Sequence, residues 1–481
     1  MNMNRLIPAA ALTVLAAMTA AQPCLAASNK VAALAFKPLK SDIPKTHRYV
    51  LTNGMVAHLM PDRELPLVTA SAMIKTGSIW EPEGKEGLAA LCGATMRGGG
   101  TKTMTPEELD EALEFLAISV ETGIGEESGS ASLSVLSKDL DKGLAYLADV
   151  MINPRFDQSR FDLAKARMLD GIRRENDDPP GAAERELAKL VYQGSPYGRV
   201  PTLESVGSIT RDDVAQFHKR YFSPKAVILG VTGDFDEKQM LEKLEAVFGG
   251  WSAPAPEYPA TAAVKEEFSG GVWIAKKDVQ QSAIRMGHLA GKKSDPDYLA
   301  VRVMDNILGG SGFTSRMVQK VRAERGLAYS VWSYTMAGHW APGMFISGAE
   351  TKSSSTAETL GLMLAEVKRI REELVSPKEL EEAKNSIVNS FVFVFDRPSK
   401  ILGQRMTIEY YGLPADFLET YRDRVMAVTA EDVRQAARRR LNPEGMKIVV
   451  VGSEKDFGRP LEGLGPVSVI TLRDYQSGGG K

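Results

Sequence analysis

The sequence predicts an α/β (α+β) protein of two homologous domains, each a mostly antiparallel sheet covered by helices. Three observations carry this expectation. The chain repeats itself, each copy alternates short apolar strands with helix pairs, and a Pro- and Ala-rich stretch separates the copies. A shift of 219 residues places Ala164-Lys165 on Ala383-Lys384, Asp177 on Asp396, Pro179 on Pro398, Tyr192 on Tyr411 and Val206 on Val425. At the same offset Thr210, Asp213, Val214, Gln216, Pro224, Val231 and Gly233 fall on Thr429, Asp432, Val433, Gln435, Pro443, Val450 and Gly452. Nearer the start of each copy the offset becomes 211, so that Leu88-Ala89 meets Leu299-Ala300 and Gly98-Gly99 meets Gly309-Gly310. So many identities at one spacing mark a duplication.

Taken in chain order, the first 30 residues have the three parts of a secretory signal: Arg5 in a short basic start, an apolar run from Leu6 to Ala21, and small residues at Ala26 and Ala27. A membrane-spanning helix needs about 20 apolar residues, whereas this run is shorter and contains Pro8. Residues 1–27 are therefore expected to be a cleaved signal peptide and the mature chain a soluble exported protein, in a bacterium a periplasmic one. Strand-like segments MVAHLM and ASAMIKTG open the first domain, expected over residues 45–250. Each copy then reads as an amphipathic helix, an Asp-x-Pro break, a second helix, a Thr-x-x-Asp-Val helix start, and a short apolar strand ending at Gly, KAVILGVTG in one and MKIVVVG in the other. Residues 251–267 (WSAPAPEYPATAAVKEE) suit an extended linker. The second domain is expected over residues 268–460. Antiparallel sheets with helix pairs behind them put the helices on one face.

Composition narrows the function classes. A net charge of −2 offers no electrostatic attraction to nucleic acid or to an anionic membrane. Loss of the signal would remove Cys24 and leave Cys92 as the only thiol, excluding an intramolecular disulfide. The five histidines are His47, His58, His218, His288 and His339, and no two of them stand three or four apart. Paired imidazoles on one helix face need that spacing, so no local two-His metal site exists.

Residues Gly87 to Met96 read GLAALCGATM. This stretch resembles the zinc-binding helix of the M16 (pitrilysin and mitochondrial processing peptidase-like) metallopeptidases, in the M16B type with two domains per chain, stripped of its ligands. In that family the helix carries His-x-x-Glu-His, two imidazoles for the zinc and a Glu that activates water. The corresponding positions here are Ala90, Gly93 and Ala94, and the position of the family's third ligand, a Glu on a later helix, falls in FDLAKARMLDGIRRENDDP at Gly171. Cys92 beside them reads as a small buried apolar residue rather than a ligand. The resemblance covers nearly the whole mature chain and implies the LuxS/MPP-like metallohydrolase fold, built from duplicated halves.

The second copy contains LGGSGFTSRM followed by VRAERGLAYSVWSY. This looks like the M16 C-terminal segment in which an Arg precedes a Tyr by seven residues, here Arg322 and Tyr329. The resemblance implies that the pair reaches into a zinc site in the other half of the molecule, holds substrate and stabilises the oxyanion, a role suited to a guanidinium and a phenol. Arg325 is the competing arginine, with a poorer spacing. A surface Arg and a sheet-packing Tyr are the plain alternative. SPYGR (Ser195 to Arg199) matches a family segment usually written His-Pro-Tyr-Gly and reads as a structural loop. His288 reads as a packing residue, Asp177-Asp178 as a helix end before Pro179, and RGGGT lacks the Lys-Ser/Thr of a phosphate loop.

With no zinc ligand at Ala90, Ala94 or Gly171 and no base at Gly93, the chain is expected not to be an enzyme on its own and to hold no metal. Its resemblance to the non-catalytic partner of heterodimeric M16 peptidases implies a complex with an M16 homologue bearing intact His-x-x-Glu-His, zinc in that partner, and unfolded peptides as substrates, bound by strand addition. Neither nucleic acid nor membrane is an expected partner. The alternative is a non-enzymatic peptide-binding or assembly protein of the same fold, as a homodimer or a core subunit of a larger complex.

Overall fold

The computed structural model describes residues 43–260, 263–265 and 269–473. The signal-peptide expectation for residues 1–27 lies outside them. Among the described residues no helix is long and apolar enough to cross a membrane.

Among the described residues twelve strands form two six-stranded sheets. In the first half these are β1 (His47–Val50), β2 (Val56–Pro61), β3 (Leu67–Ile74), β4 (Ser119–Ile124), β5 (Gly129–Leu136) and β6 (Val227–Gly233), in the order β1-β2-β6-β3-β5-β4. The second half supplies β7 (Gly271–Lys276), β8 (Gln281–Leu289), β9 (Ala328–Met336), β10 (Met344–Lys352), β11 (Lys447–Gly452) and β12 (Val467–Ile470), in the order β12-β7-β11-β8-β10-β9. Pairing is parallel between β2 and β6 and where β7 meets β11 and β12, and antiparallel elsewhere. The chain is thus an α+β protein of two similar halves, each a mostly antiparallel sheet covered by helices.

Sequence pattern explains how each sheet meets its helices. Along β3 the residues Val68, Ala70, Ala72 and Ile74 are buried while Leu67 and Ser71 are exposed, the period-2 alternation of a strand with one face in a core. The equivalent helices over Arg211–Tyr221 and Ala430–Arg440 both open on capping boxes, Thr210 with Asp213 and Thr429 with Asp432. Each half has its own core, one around Leu59, Leu91, Leu133, Leu144 and Phe248, the other around Met304, Phe345, Leu360 and Val450.

The second sheet face departs from the expectation of helices on one side. Strand β11 is buried along its whole length, because helix Pro179–Val191 of the first half lies across the outer face of the second sheet, with Ala182, Ala183, Leu187 and Val191 against Ala283, Ile346, Val449 and Val451. Reciprocally, helix Pro398–Tyr411 of the second half lies on β6 of the first, with Ile401, Leu402 and Met406 against Met60. These are the helices that superpose in the 219-residue repeat. Gly230 makes the second contact possible, since a Cβ there would sit 2.5 Å from Met406 Sδ. A polar tie reinforces the seam: Glu409 accepts from Arg48 Nε and Nη2 at 3.0 and 2.8 Å, and His58 Nε2 lies 2.7 Å from the same carboxylate.

Candidate functional site

The helix Leu88–Gly98 carries three of the four positions that lack a ligand or base, Ala90, Gly93 and Ala94. Its N-terminus is closed by the buried Glu81, whose carboxylate accepts from Ala89 N at 2.7 Å and Gly87 N at 3.2 Å. Burial pushes the Glu81 carboxyl up to about 7, against the pull of those two amides. Ala90 and Ala94, one turn apart on the same face, are exposed. Gly93 is pressed against β4 so closely that a Cβ would lie 2.4 Å from Ile124 N and 2.8 Å from the Gly123 carbonyl carbon. Thr122 of that strand fixes the contact by donating to Gly93 O at 2.7 Å. Gly171 sits on helix Gln158–Arg174, which packs beside this one, and a Cβ there would meet nothing within 4 Å. Cys92 is fully buried and burial drives its thiol pKa upward, so it is inert.

Zinc does not fit this donor set. Methyl groups and hydrogens occupy all four positions, and the one where the family places its base has no space for a side chain at all. Among the described residues no other group of three His, Cys, Asp or Glu is arranged to hold a metal ion.

Arg322 and Tyr329 are brought together. Arg322 stands on the π-helical segment Val318–Ala323, and Gly326, at φ 62°, makes the left-handed turn that leads into β9. Tyr329 is the second residue of β9, where the ladder slips: Glu350 pairs with Ser330 and Thr351 with Ala328, leaving Tyr329 with no partner in β10. This bulge turns the Tyr329 side chain outward, 83% exposed. The Arg322 guanidinium carbon lies over two rings, 4.5 Å from the Tyr329 centroid and 4.6 Å from that of Phe313.

The other cations of this segment are all neutralised. Arg316 is bidentate on Glu379 at 2.6 and 3.2 Å, Lys320 meets Glu324 at 2.7 Å, and Arg325 is engaged by Glu358. Burial alone would raise the Glu379 pKa, but Arg316 and the Ser376 donors hold it at about 2. For Arg322, by contrast, no hydrogen bond or carboxylate is found among the described residues, so its charge and its in-plane N–H donors stay available. The competing Arg325 is committed elsewhere.

Other singled-out residues have structural work. Ser195 Oγ accepts from Tyr197 N at 3.2 Å, and Tyr197 donates to Glu127 at 2.7 Å, while Tyr410 of the second half donates to the Glu127 carbonyl at 2.6 Å. His288 is buried, with Nδ1 2.7 Å from Leu289 O and Nε2 accepting from Asn442 N at 3.0 Å. Asp178 caps helix Pro179–Val191. Sequence reasoning missed Phe313, an aromatic set among Gly, Ser and Thr. It also missed Asp305, which the 211 offset aligns with Ala94. Asp305 is buried against Thr335, accepting from its N at 3.0 Å and Oγ1 at 2.9 Å, and burial pushes its carboxyl up to about 7.

Comparison with known proteins places these features. The family model described as insulinase (peptidase family M16) matches residues 60–202, and that of the peptidase M16 inactive domain matches residues 208–387. Together they span more than half of the chain. An uncharacterized zinc protease of Rickettsia bellii is 25% identical over 399 residues, 80% of this chain and 92% of its own length. A non-peptidase homolog, YmxG, from Helicobacter pylori is 24% identical over 81% of this chain and 90% of its own. In fold, the peptidase M16 inactive domain from Pseudomonas fluorescens superposes with a TM-score of 0.79 at 24% identity, covering 85% of this chain and 98% of that one. The periplasmic protease PqqL from Escherichia coli does so with a TM-score of 0.73 at 13% identity, covering 85% of this chain and 46% of its own.

Proposed function

Because the chain belongs to the M16 peptidase family and carries no zinc ligand at Ala90, Ala94 or Gly171, we propose that it is the non-catalytic subunit of a periplasmic two-chain zinc endopeptidase. Its second half supplies Arg322 and Tyr329 to the zinc site of a homologue that retains His-x-x-Glu-His. One observation carries this reading: on a segment where every other cation is neutralised by a Glu, Arg322 keeps its charge, beside a Tyr that a bulge turns outward.

The chemistry follows from those donors. A guanidinium and a phenol O–H are preorganised to meet the scissile carbonyl oxygen, whose negative charge grows as water adds to the carbon. The substrates are unfolded peptides, which present such carbonyls in an extended form. Strands β4 and β9 are sheet edges that can each accept one more strand.

The test mixes this chain with a homologue bearing the intact motif and follows cleavage of a fluorogenic peptide. The isolated chain should bind no stoichiometric zinc and cleave nothing, and the mixture should be active. Arg322→Ala or Tyr329→Phe should lower turnover by roughly 10²- to 10³-fold, the scale for one oxyanion donor. Hydrolysis by the isolated chain with bound zinc would refute the reading. The relative named a non-peptidase homolog favours a second one, a peptide-binding or assembly protein, under which the two substitutions leave function unchanged.

A further inference from the structure

A long, mobile side chain that must meet an oxyanion faces a conflict. Arginine loses rotamer freedom when it is fixed, and the common way to hold it, a carboxylate pair, neutralises the charge and occupies its donors. Arg316 and Arg325 are held in that way. Arg322 is held differently, over the rings of Phe313 and Tyr329, with its guanidinium carbon 4.6 and 4.5 Å from their centroids. Contact with aromatic rings restrains the guanidinium without neutralising its charge or giving its N–H donors to a carboxylate.

The Phe313 ring is itself placed by the loop rather than by burial, being 64% exposed. Gly312 takes the left-handed conformation at φ 61°, Ser315 Oγ donates to Gly312 O at 2.8 Å, and the Gln319 side chain donates to the Phe313 carbonyl. These contacts set the backbone of the loop, and the exposed Phe313 ring it carries belongs to neither core. Resting on the function proposed above, we infer that Phe313 is a positioning residue: its ring, with that of Tyr329, clamps Arg322 in the orientation that presents its N–H edge to substrate. The clamp acts through geometry and leaves the charge of Arg322 intact.

The experiment compares Phe313→Leu, which keeps apolar bulk but has no aromatic face, with Phe313→Trp, which keeps the face. In the isolated chain, phenylglyoxal modification of Arg322, followed by mass spectrometry of its peptide, should run roughly two- to five-fold faster in Phe313→Leu than in the parent, the scale of one exposed cation–π contact. Phe313→Trp should match the parent. In the two-chain enzyme, Phe313→Leu should lower kcat by a similar factor with KM little changed, Phe313→Trp should restore it, and Phe313→Leu should add nothing in an Arg322→Ala background. Because Phe313 is exposed, both variants should melt with the parent. If Leu and Trp behave alike in the modification and kinetic measurements, the clamp is refuted. If Arg322→Ala itself leaves turnover unchanged, the functional reading falls with it, so the two failures are distinguishable.

Discussion

Alanine at Gly93 would set a methyl carbon 2.4 Å from Ile124 N and 2.8 Å from the Gly123 carbonyl carbon. Both are backbone atoms of β4, a strand held by its ladder to β5, so neither can swing aside as a side-chain end would. Overpacking of this kind costs about 1–3 kcal/mol, and a backbone contact this short belongs at the upper end. Replacing a mid-helix Gly by Ala returns about 1 kcal/mol, leaving a net loss of about 1–2 kcal/mol. Gly171→Ala makes the same chemical change on the neighbouring helix, where the new methyl meets nothing within 4 Å. There the helix propensity acts alone, for a gain of about 0.5–1 kcal/mol. For halves of this size 1 kcal/mol shifts the melting midpoint by about 2–4 °C, so thermal unfolding followed by circular dichroism should move down for Gly93→Ala and up for Gly171→Ala. Equal shifts, or a stabilised Gly93→Ala, would refute the argument that the helix has closed onto β4.

The same asymmetry separates metal binding from catalysis: Ala90→His, Ala94→His and Gly171→Glu together should allow zinc uptake by equilibrium dialysis but no peptide hydrolysis, because position 93 cannot take the base. Asp305, with its carboxyl at about 7 in the folded chain, keeps a proton that the unfolded chain releases near its ordinary 3.8, so stability should fall as pH rises from about 4 to 7 and then level. At 1.36 kcal/mol per pKa unit the fall is up to about 4 kcal/mol, and Asp305→Asn should abolish that slope in urea titrations across this range. Glu379 has the opposite sign: its carboxyl at about 2 stabilises the fold above its unfolded value, and that contribution should be lost as pH falls from about 4.5 to 2, a loss absent in Glu379→Gln. Gly230→Val should drive side-chain atoms into Leu402 and Met406, cost about 1–3 kcal/mol, and increase proteolysis within residues 251–260, the connection between the halves.

What could be read ahead of the structure follows from range. The Thr210 and Thr429 caps, the strand alternation in β3 and the Asp178 helix start are set by neighbours a few residues apart, and the sequence carries them. The duplication is legible because both copies kept the residues that build these local features. The exchange of Pro179–Val191 for Pro398–Tyr411 is not, because buried faces on the two helices look alike whichever sheet receives them. In the candidate site, the Arg322 and Tyr329 positions emerge from the family pattern, but the slip that extrudes Tyr329 depends on how β10 pairs, and the stacking of Phe313 depends on the loop's fold. The closure over Gly93 was equally hidden, since a glycine in a helix reads the same whether a strand presses on it or solvent surrounds it.

The exchanged helices also impose an order on biosynthesis. A chain is made from its N-terminus at about 5–20 residues per second. Helix Pro179–Val191 therefore exists before the sheet it covers, and the second sheet can be sheathed as it forms. The first sheet has no such provision. Its outer face at β6, with Gly230 and Met60, waits for Leu402 and Met406, about 170 residues further on. For that interval the nascent first half carries an uncovered apolar face, the kind of surface on which partly made proteins associate. A chain terminated before Pro398 would keep that face bare, so the last helix of the exchange is the step that converts a sticky intermediate into a closed molecule.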